Sequence, residues 1–306
     1  MLTNTIRFWV YLVFLVPSFI CLVFVLGQFF FKRTLRSSLN NHCIILLLLM
    51  SFICEVTIYP SMLYYYQFKG IWRRAQIFCA IWDFLDWGLY VTQTMLFAWI
   101  TIERHILIFH DRLVSTWKKR LFFHYSPPIL ICLYTIVLYI FVYFFPPCRN
   151  YFSNSSMRCI DACLFYNNIY SMWEMIVNQI LPALMILIFT IALLVRILWQ
   201  KHRINQPVQW RKHRKMVIQV VSISILYIGC FLPYALYNLM LTYNVSYRLI
   251  KEFGTYSEFL AYLMSLLLPF ICAFSIPETR KTILKILYLK MRKTLITLVT
   301  FQATHT

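Results

Sequence analysis

Three acidic side chains, Glu55, Asp83 and Asp86, interrupt two otherwise uncharged apolar windows of this 306-residue chain, and Glu174 stands at the edge of a third. A carboxylate at bilayer depth costs a few kcal/mol, so its default reading is a functional group with a partner. Glu174 and Asn178 share one helix face by their i, i+4 spacing. If Asp86 and Glu174 face a partly dry cavity they favour a cationic ligand; the plain alternative is that Asp86 satisfies a Tyr or Trp within the bundle and Glu174 lies at the membrane interface. A second charged group, Glu103-Arg104-His105, closes the same segment as Asp86. Such a pair at a helix end can simply snorkel. Arg104 is always charged, however, and a dry helix junction requires it to be paired, with Glu103 as partner. No paired catalytic acids, histidine cluster or activated serine emerges, so an enzyme is not expected. No CxxC or His/Cys spacing suggests zinc, and neither metal nor cofactor is expected.

The elements that must position these groups are long apolar helices. Uncharged windows run over 8–31, 121–148, 175–195, 216–247 and 259–277; 37–68 carries only Glu55, and 75–102 only Asp83 and Asp86. A bilayer core needs about 20 helical residues to cross. Mean hydropathy is +0.69, with 61% hydrophobic and 13% charged residues, too few charges to clothe a soluble surface. The expected fold is an all-α seven-transmembrane helix bundle over 1–277, with a short amphipathic eighth helix and cytoplasmic tail over 278–306. Helices are expected near 8–31, 41–66, 75–109, 118–145, 170–202, 208–243 and 255–277, with Pro17, Pro60, Pro127-Pro128, Pro182, Pro233 and Pro269 as kinks. The first window, too long for a signal-peptide core, reads as a retained helix.

With the N-terminus outside, 21 basic residues fall in inner segments and 8 in outer ones. The positive-inside rule therefore puts the N-terminus outside and the C-terminus in the cytoplasm, in a multi-pass plasma-membrane protein. The net charge of +19 reads as attraction to an anionic leaflet, making the lipid bilayer a partner; no nucleic-acid partner is expected. Sequons at Asn154 and Asn244 both fall outside and are candidate glycosylation sites. Cys79, Cys148, Cys159 and Cys163 also lie outside, where disulfides persist; four cysteines allow three pairings.

Taken together, Cys79, Glu103-Arg104-His105, Cys230-Phe231-Leu232-Pro233 and Pro182 resemble the rhodopsin-like (class A) G-protein-coupled receptors, over essentially the whole chain. The resemblance sets Glu103-Arg104-His105 against that family's Asp/Glu-Arg-Tyr motif, and Cys230 to Pro233 against Cys-Trp-x-Pro, with Phe231 in place of Trp. Ile276-Pro277-Glu278-Thr279-Arg280 is set against Asn-Pro-x-x-Tyr and keeps only Pro277. Ser51, Val23 and Ile276 stand where the family has a polar, sodium-binding cluster; Glu55, one turn along, reads either as a displaced substitute or as an acid paired with a neighbouring Tyr.

The resemblance implies a receptor for an extracellular ligand, a cationic amine or a basic peptide, which activates a heterotrimeric G protein by outward movement of helix six. The pocket would draw on Asp86, Tyr90, Glu174, Asn178, Phe231, Tyr234 and Asn238, and the G-protein switch on Glu103, Arg104, His105, Pro233 and Pro277. Counting from Pro277, Phe270 occupies the place of the helix-seven Tyr that partners the aspartate. A bond from Cys163 to Cys79 is expected, with Cys148 to Cys159, the swapped pairing being the alternative. The basic run Arg211-Lys212-His213-Arg214-Lys215 offers no acid on helix six to lock Arg104, which favours constitutive signalling. The rival readings are a seven-helix transporter or channel and a degenerate receptor without G-protein coupling.

Overall fold

The computed structural model describes residues 3–72, 75–203, 207–243, 245–276 and, beyond these, 279, 280, 282 and 285. Seven long helices dominate: α1 (Asn4–Phe31), α2 (Asn41–Gln67), α3 (Gln76–Phe109), α4 (Trp117–Phe144), α5 (Asn168–Trp199), α6 (Pro207–Thr242) and α7 (Tyr247–Ser275). Six are long and apolar enough to cross a membrane by length and composition. The other, α3, is 34 residues long and carries Asp83, Asp86, Glu103 and Arg104, all buried. Its charges face the protein and not lipid, which is how a spanning helix tolerates them. The expected eighth helix falls almost wholly outside the described residues, as do Pro277 and Asn244.

Lipid exposure follows the same logic. Val13, Val16 and Ile20 on α1 and Leu130, Leu133 and Val137 on α4 are exposed, as outer helices of a bundle require. The interior splits into two packed groups. One, around Leu22, Leu47, Phe97, Ile100, Ile223 and Leu268, fills the middle of the bundle and extends inward. The other is aromatic, around Tyr11, Tyr59, Tyr66, Trp72 and Trp82, and lies at the outer ends of α1, α2 and α3. Interhelical hydrogen bonds pin the register: Thr92 to Thr135 at 2.8 Å joins α3 to α4, and Thr190 with Ser224 at 2.8 Å joins α5 to α6. Each such bond contributes about 0.6 kcal/mol in a membrane bundle.

Prolines act through local widening as well as through kinks. Three π-helical segments, Cys54–Ile58, Leu121–Tyr125 and Glu174–Ile180, lie just before Pro60, Pro127 and Pro182. Proline lacks the N–H that would bond the carbonyl four residues back, and its ring crowds that carbonyl. The turn before it widens, and such bulges re-aim side chains at functional positions. Glu55, His124 and Glu174 all stand on these widened turns.

Helix seven begins at Tyr247, eight residues before the expected start at 255, and ends at Ser275. Its outer part carries Arg248, Lys251 and Glu252 on faces open to solvent, so charge there does not end the helix. Close approach to α6 is possible because position 254 is glycine: a Cβ there would fall 2.2 Å from the Tyr237 ring.

The loop between α4 and α5 forms a two-stranded hairpin, β1 (Tyr151–Phe152) against β2 (Ile160–Asp161). Here the structure corrects the expected disulfides. Cys79 bonds Cys159 and Cys148 bonds Cys163, the swapped pairing. The hairpin register gives the reason. Tyr151 faces Asp161 and Phe152 faces Ile160; extending that ladder outward brings Cys148 beside Cys163. Cys159 is left at the tip end of β2, over the start of α3.

Candidate ligand site and inner switch

The Cys79–Cys159 bond decides where the loop's next residue back, Arg158, goes. The amide of Ile160 donates to Asp83 Oδ2 at 2.7 Å, and Trp72 Nε1 donates to the carbonyls of Ser156 and Met157 at 3.0 and 3.1 Å. Held on both sides, Arg158 points down into the bundle. Its guanidinium carbon lies 4.2 Å from the Trp87 ring centroid and 5.9 Å from that of Tyr234, and it donates to the Tyr234 hydroxyl. Burial works against the charge, yet Tyr262, Tyr143, Glu258 and Asp86 outweigh it and hold the Arg158 pKa above the ordinary arginine value.

Beneath this cation is a cavity enclosing about 490 Å³ of non-atom space, open solvent at its mouth included, whose walls include Asp86, Tyr90, Gln93, Tyr234, Glu258 and Tyr262. Asp86 Oδ2 accepts from the Tyr262 hydroxyl at 2.7 Å. Glu258 lies one helical turn before Tyr262 and stands 3.9 Å from Arg7 of α1. The floor is polar as well: Ser265 Oγ donates to Gln93 Oε1 at 3.4 Å. Below it and outside the cavity wall, the Tyr227 hydroxyl donates to the Gln93 carbonyl at 3.1 Å.

A second, more open cavity lies beside it, about 780 Å³ of non-atom space with the solvent at its mouth included, with Trp87 and Arg158 in its wall together with Asp161, Glu174, Gln179 and Asn238. The Trp87–Arg158 stack is therefore the partition between two chambers. Six of the seven expected pocket residues divide between them. Asp86, Tyr90, Phe231 and Tyr234 line the inner chamber; Glu174 and Asn238 line the outer one. Asn178 lines neither. It is buried, donates to Glu174 Oε2 at 2.6 Å and accepts from the Tyr134 hydroxyl at 2.9 Å.

Glu174 is thoroughly engaged by its own protein. Oε1 accepts from Trp87 Nε1 at 3.0 Å and from Tyr139 at 2.6 Å; Oε2 accepts from Asn178 and, at 3.5 Å, from Tyr170. These donors make Glu174 a knot tying α3, α4 and α5, and orient the Trp87 ring on which Arg158 lies.

Arg158, Glu258 and Tyr262 are absent from the expected pocket. Tyr262 was legible: Pro269 lies inside α7, whereas α7 ends before Pro277. The interval from Pro277 back to Phe270, counted instead from Pro269, lands on Tyr262. Glu258 then follows as the acid one turn away on the same face.

Rings connect the inner chamber to the middle of the bundle. Tyr90 meets Phe231 edge-on at 4.8 Å between centroids, Phe231 lies 4.9 Å from Tyr227, and Tyr227 stacks on Phe97 at 4.3 Å. Pro233 sits in α6 two residues beyond Phe231.

At the inner end, Glu103 pairs with His124 of α4, both side chains 1% exposed. The expectation of a Glu103–Arg104 pair is thus modified: the carboxylate's direct contact is across the bundle, because adjacent residues on a helix point in different directions. Arg104 is fully buried and senses the charge of Glu103. His105 Nε2 lies 2.8 Å from the Phe189 carbonyl of α5. The side chains of the basic run 211–215 lie outside the described residues. Asn154 is exposed in the hairpin turn. Ser51 is buried, and its hydroxyl has no hydrogen-bond partner among the described residues. Glu55 lies 2.6 Å from Ser18 Oγ, which also donates to the Leu266 carbonyl at 2.8 Å. That triad joins α1, α2 and α7.

A helical membrane bundle with a disulfide-pinned loop over a polar cavity, and the adjacent Glu103 and Arg104 buried toward the opposite end of α3, defines a seven-helix receptor architecture. Residues 21–271 match the family model for 7 transmembrane receptors (rhodopsin family), and the chain belongs to that family. No curated protein matches the chain. Members of the family are typically receptors and not enzymes, with extracellular ligands and G proteins as partners.

Proposed function

We propose that this chain is a plasma-membrane receptor, N-terminus outside, which takes a cationic extracellular ligand, an amine or a basic peptide, and activates a heterotrimeric G protein through outward movement of α6. One observation carries the ligand class: Asp86, Glu258 and Tyr262 line the same cavity as a loop guanidinium. The cavity is already built around one cation, supplied by Arg158. An incoming ammonium or guanidinium group takes that place against Asp86, and its body fills the space toward Tyr90 and Phe231. The ring series from Tyr90 to Phe97 gives the displacement a route to α6. Glu174 supports the site through Trp87 and does not meet the ligand.

The test is a screen of amines and basic peptides on transfected cells, read by G-protein dissociation. A saturable response to a cationic agonist, lost in Asp86→Ala with surface expression intact, supports the reading. Agonists that lack a cation and are indifferent to Asp86→Ala overturn the ligand class. The absence of any acid in the basic run 211–215 favours measurable signalling without agonist, and strict agonist dependence would count against that part.

A further inference from the structure

The inner ends of α2, α3 and α4 bring together three buried side chains whose sequence positions show no metal spacing. One atom each from Cys43, Glu103 and His124, a sulfur, a carboxylate oxygen and a ring nitrogen, all lie within 4.8 Å of one another. We propose that these three residues form a zinc site that ties α2, α3 and α4 together beside Arg104. The inference is independent of the ligand reading above.

The donor set is the first support. Thiolate, imidazole and carboxylate are zinc's own ligands, and three protein ligands with one open position is a recurrent zinc arrangement. Around a tetrahedral zinc with bonds of about 2.0–2.3 Å, ligand atoms stand about 3.4–3.8 Å apart. With all three atoms within 4.8 Å, the widest spacing exceeds that range by about 1 Å at most, whereas the Glu103–His124 contact is shorter than it and opens to admit the ion.

Hydrogen bonding is the second. His42 Nε2 lies 2.8 Å from the Arg36 carbonyl. A carbonyl only accepts, so the proton of a neutral His42 sits on Nε2 and its Nδ1 is an acceptor. That Nδ1 lies 3.0 Å from His124 Nε2, which must donate to it. The lone pair of a neutral His124 Nδ1 then faces Glu103 Oε1, its contact partner. Two acceptors in contact require a cation or a proton between them. Among the described residues Glu103 Oε2 is in addition buried with no nitrogen or oxygen hydrogen-bond partner, the Cys43 thiol being the group that bears on the same carboxylate. A metal ion satisfies both. Orientation of a ligating histidine through its other ring nitrogen, here by His42 and a backbone carbonyl, is the usual outer support of a metal site.

Charge supplies the consequence. A thiolate and a carboxylate neutralise Zn²⁺, so the metal takes up the Glu103 charge that otherwise acts on Arg104. Occupancy therefore competes with Arg104 for its acid and couples the site to the inner switch. Half-buried His42, beside exposed Arg36, marks the approach for the ion.

The experiment uses the full chain in lipid nanodiscs with Co²⁺ as probe. Wild type is expected to bind one equivalent, with a near-ultraviolet thiolate-to-cobalt band and tetrahedral visible bands that Zn²⁺ abolishes. Cys43→Ser is expected to lose the thiolate band, and His42→Ala to weaken binding 10–100-fold. A wild-type chain with no thiolate band, or a band unchanged in Cys43→Ser, overturns the proposal. If Cys43→Ser does not fold, X-ray absorption of the zinc-loaded native chain decides. One sulfur among nitrogen and oxygen ligands supports the site, and any other sulfur count overturns it.

Discussion

Arg158 lies over the Trp87 ring, guanidinium carbon to ring centroid 4.2 Å, and this contact separates the chamber of Asp86 and Glu258 from the chamber of Glu174 and Asn238. A cation on an aromatic face contributes about 0.5–2 kcal/mol, more as it is desolvated. The loop cation therefore competes with any cationic ligand by a comparable amount. Arg158→Ala is expected to raise the apparent affinity for cationic agonists about 2- to 30-fold. Agonist dose-response curves measure the shift, and an unchanged or weakened response contradicts it.

The position of Arg158 depends on which cysteine holds its loop. Cys159 is its immediate neighbour and is bonded to Cys79, whereas Cys163 closes only the local hairpin with Cys148. Cys159→Ser is expected to reproduce the Arg158→Ala shift with a loss of surface expression, because the loop is freed from α3. Cys163→Ser is expected to leave agonist affinity within about threefold. Non-reduced peptide mapping by mass spectrometry checks the pairing itself; a Cys79–Cys163 peptide would refute it.

The helices were legible in the sequence because their windows are uncharged and each long enough to span. Asp83 and Asp86 made α3 the least apolar of them, yet its cysteine and Glu103-Arg104 still fixed its ends. Arg158 was not legible as a pocket residue. A loop arginine is one basic residue among others until a disulfide and a hairpin register aim it. Tyr262 was missed for a different reason: α7 was counted from Pro277, while the helix holds Pro269 and ends at Ser275. Cys43, Glu103 and His124 meet only in three dimensions, so no spacing along the chain announced them. The π segments before Pro60, Pro127 and Pro182 were half legible, since proline signals a disturbance without stating which side chain it re-aims.

Tyr262 donates to Asp86, at 2.7 Å. Its removal leaves a buried carboxylate oxygen short of one donor, which costs about 1–3 kcal/mol when the group stays charged. Tyr262→Phe is expected to lower thermal stability of the ligand-free receptor and to strengthen its stabilisation by a bound cation, which then supplies the missing partner. Thermal unfolding of the purified protein with and without agonist measures both. Equal agonist-induced stabilisation in Tyr262→Phe and wild type would remove Tyr262 from the site.

Glu174 predicts the opposite behaviour, that of a structural acid. Its removal strands the Trp87, Tyr139 and Asn178 donors in a buried place, each at a cost of about 1–3 kcal/mol. Glu174→Ala is expected to lose at least about 3 kcal/mol of stability and most surface expression, and Glu174→Gln, which retains an acceptor, to lose less. A well-folded Glu174→Ala receptor with abolished agonist binding would instead make Glu174 a direct ligand contact.

Transmission from the pocket to the inner end rests on Tyr227. Its ring bridges Phe231 at 4.9 Å and Phe97 at 4.3 Å, and its hydroxyl donates to the Gln93 carbonyl at 3.1 Å. Tyr227→Leu keeps an apolar side chain but removes both the stack and the hydrogen bond, worth together about 1–3 kcal/mol. Because Tyr227 lies below Asp86 and does not line its cavity, agonist affinity in membranes without G protein is expected to hold within about threefold. Maximal G-protein activation should fall severalfold, since α6 no longer moves as one body with Tyr90 and Phe231. Paired measurements of binding and activation on the same membranes separate the two effects. Loss of both in equal proportion would make Tyr227 a packing residue only, and loss of binding alone would move it into the ligand site.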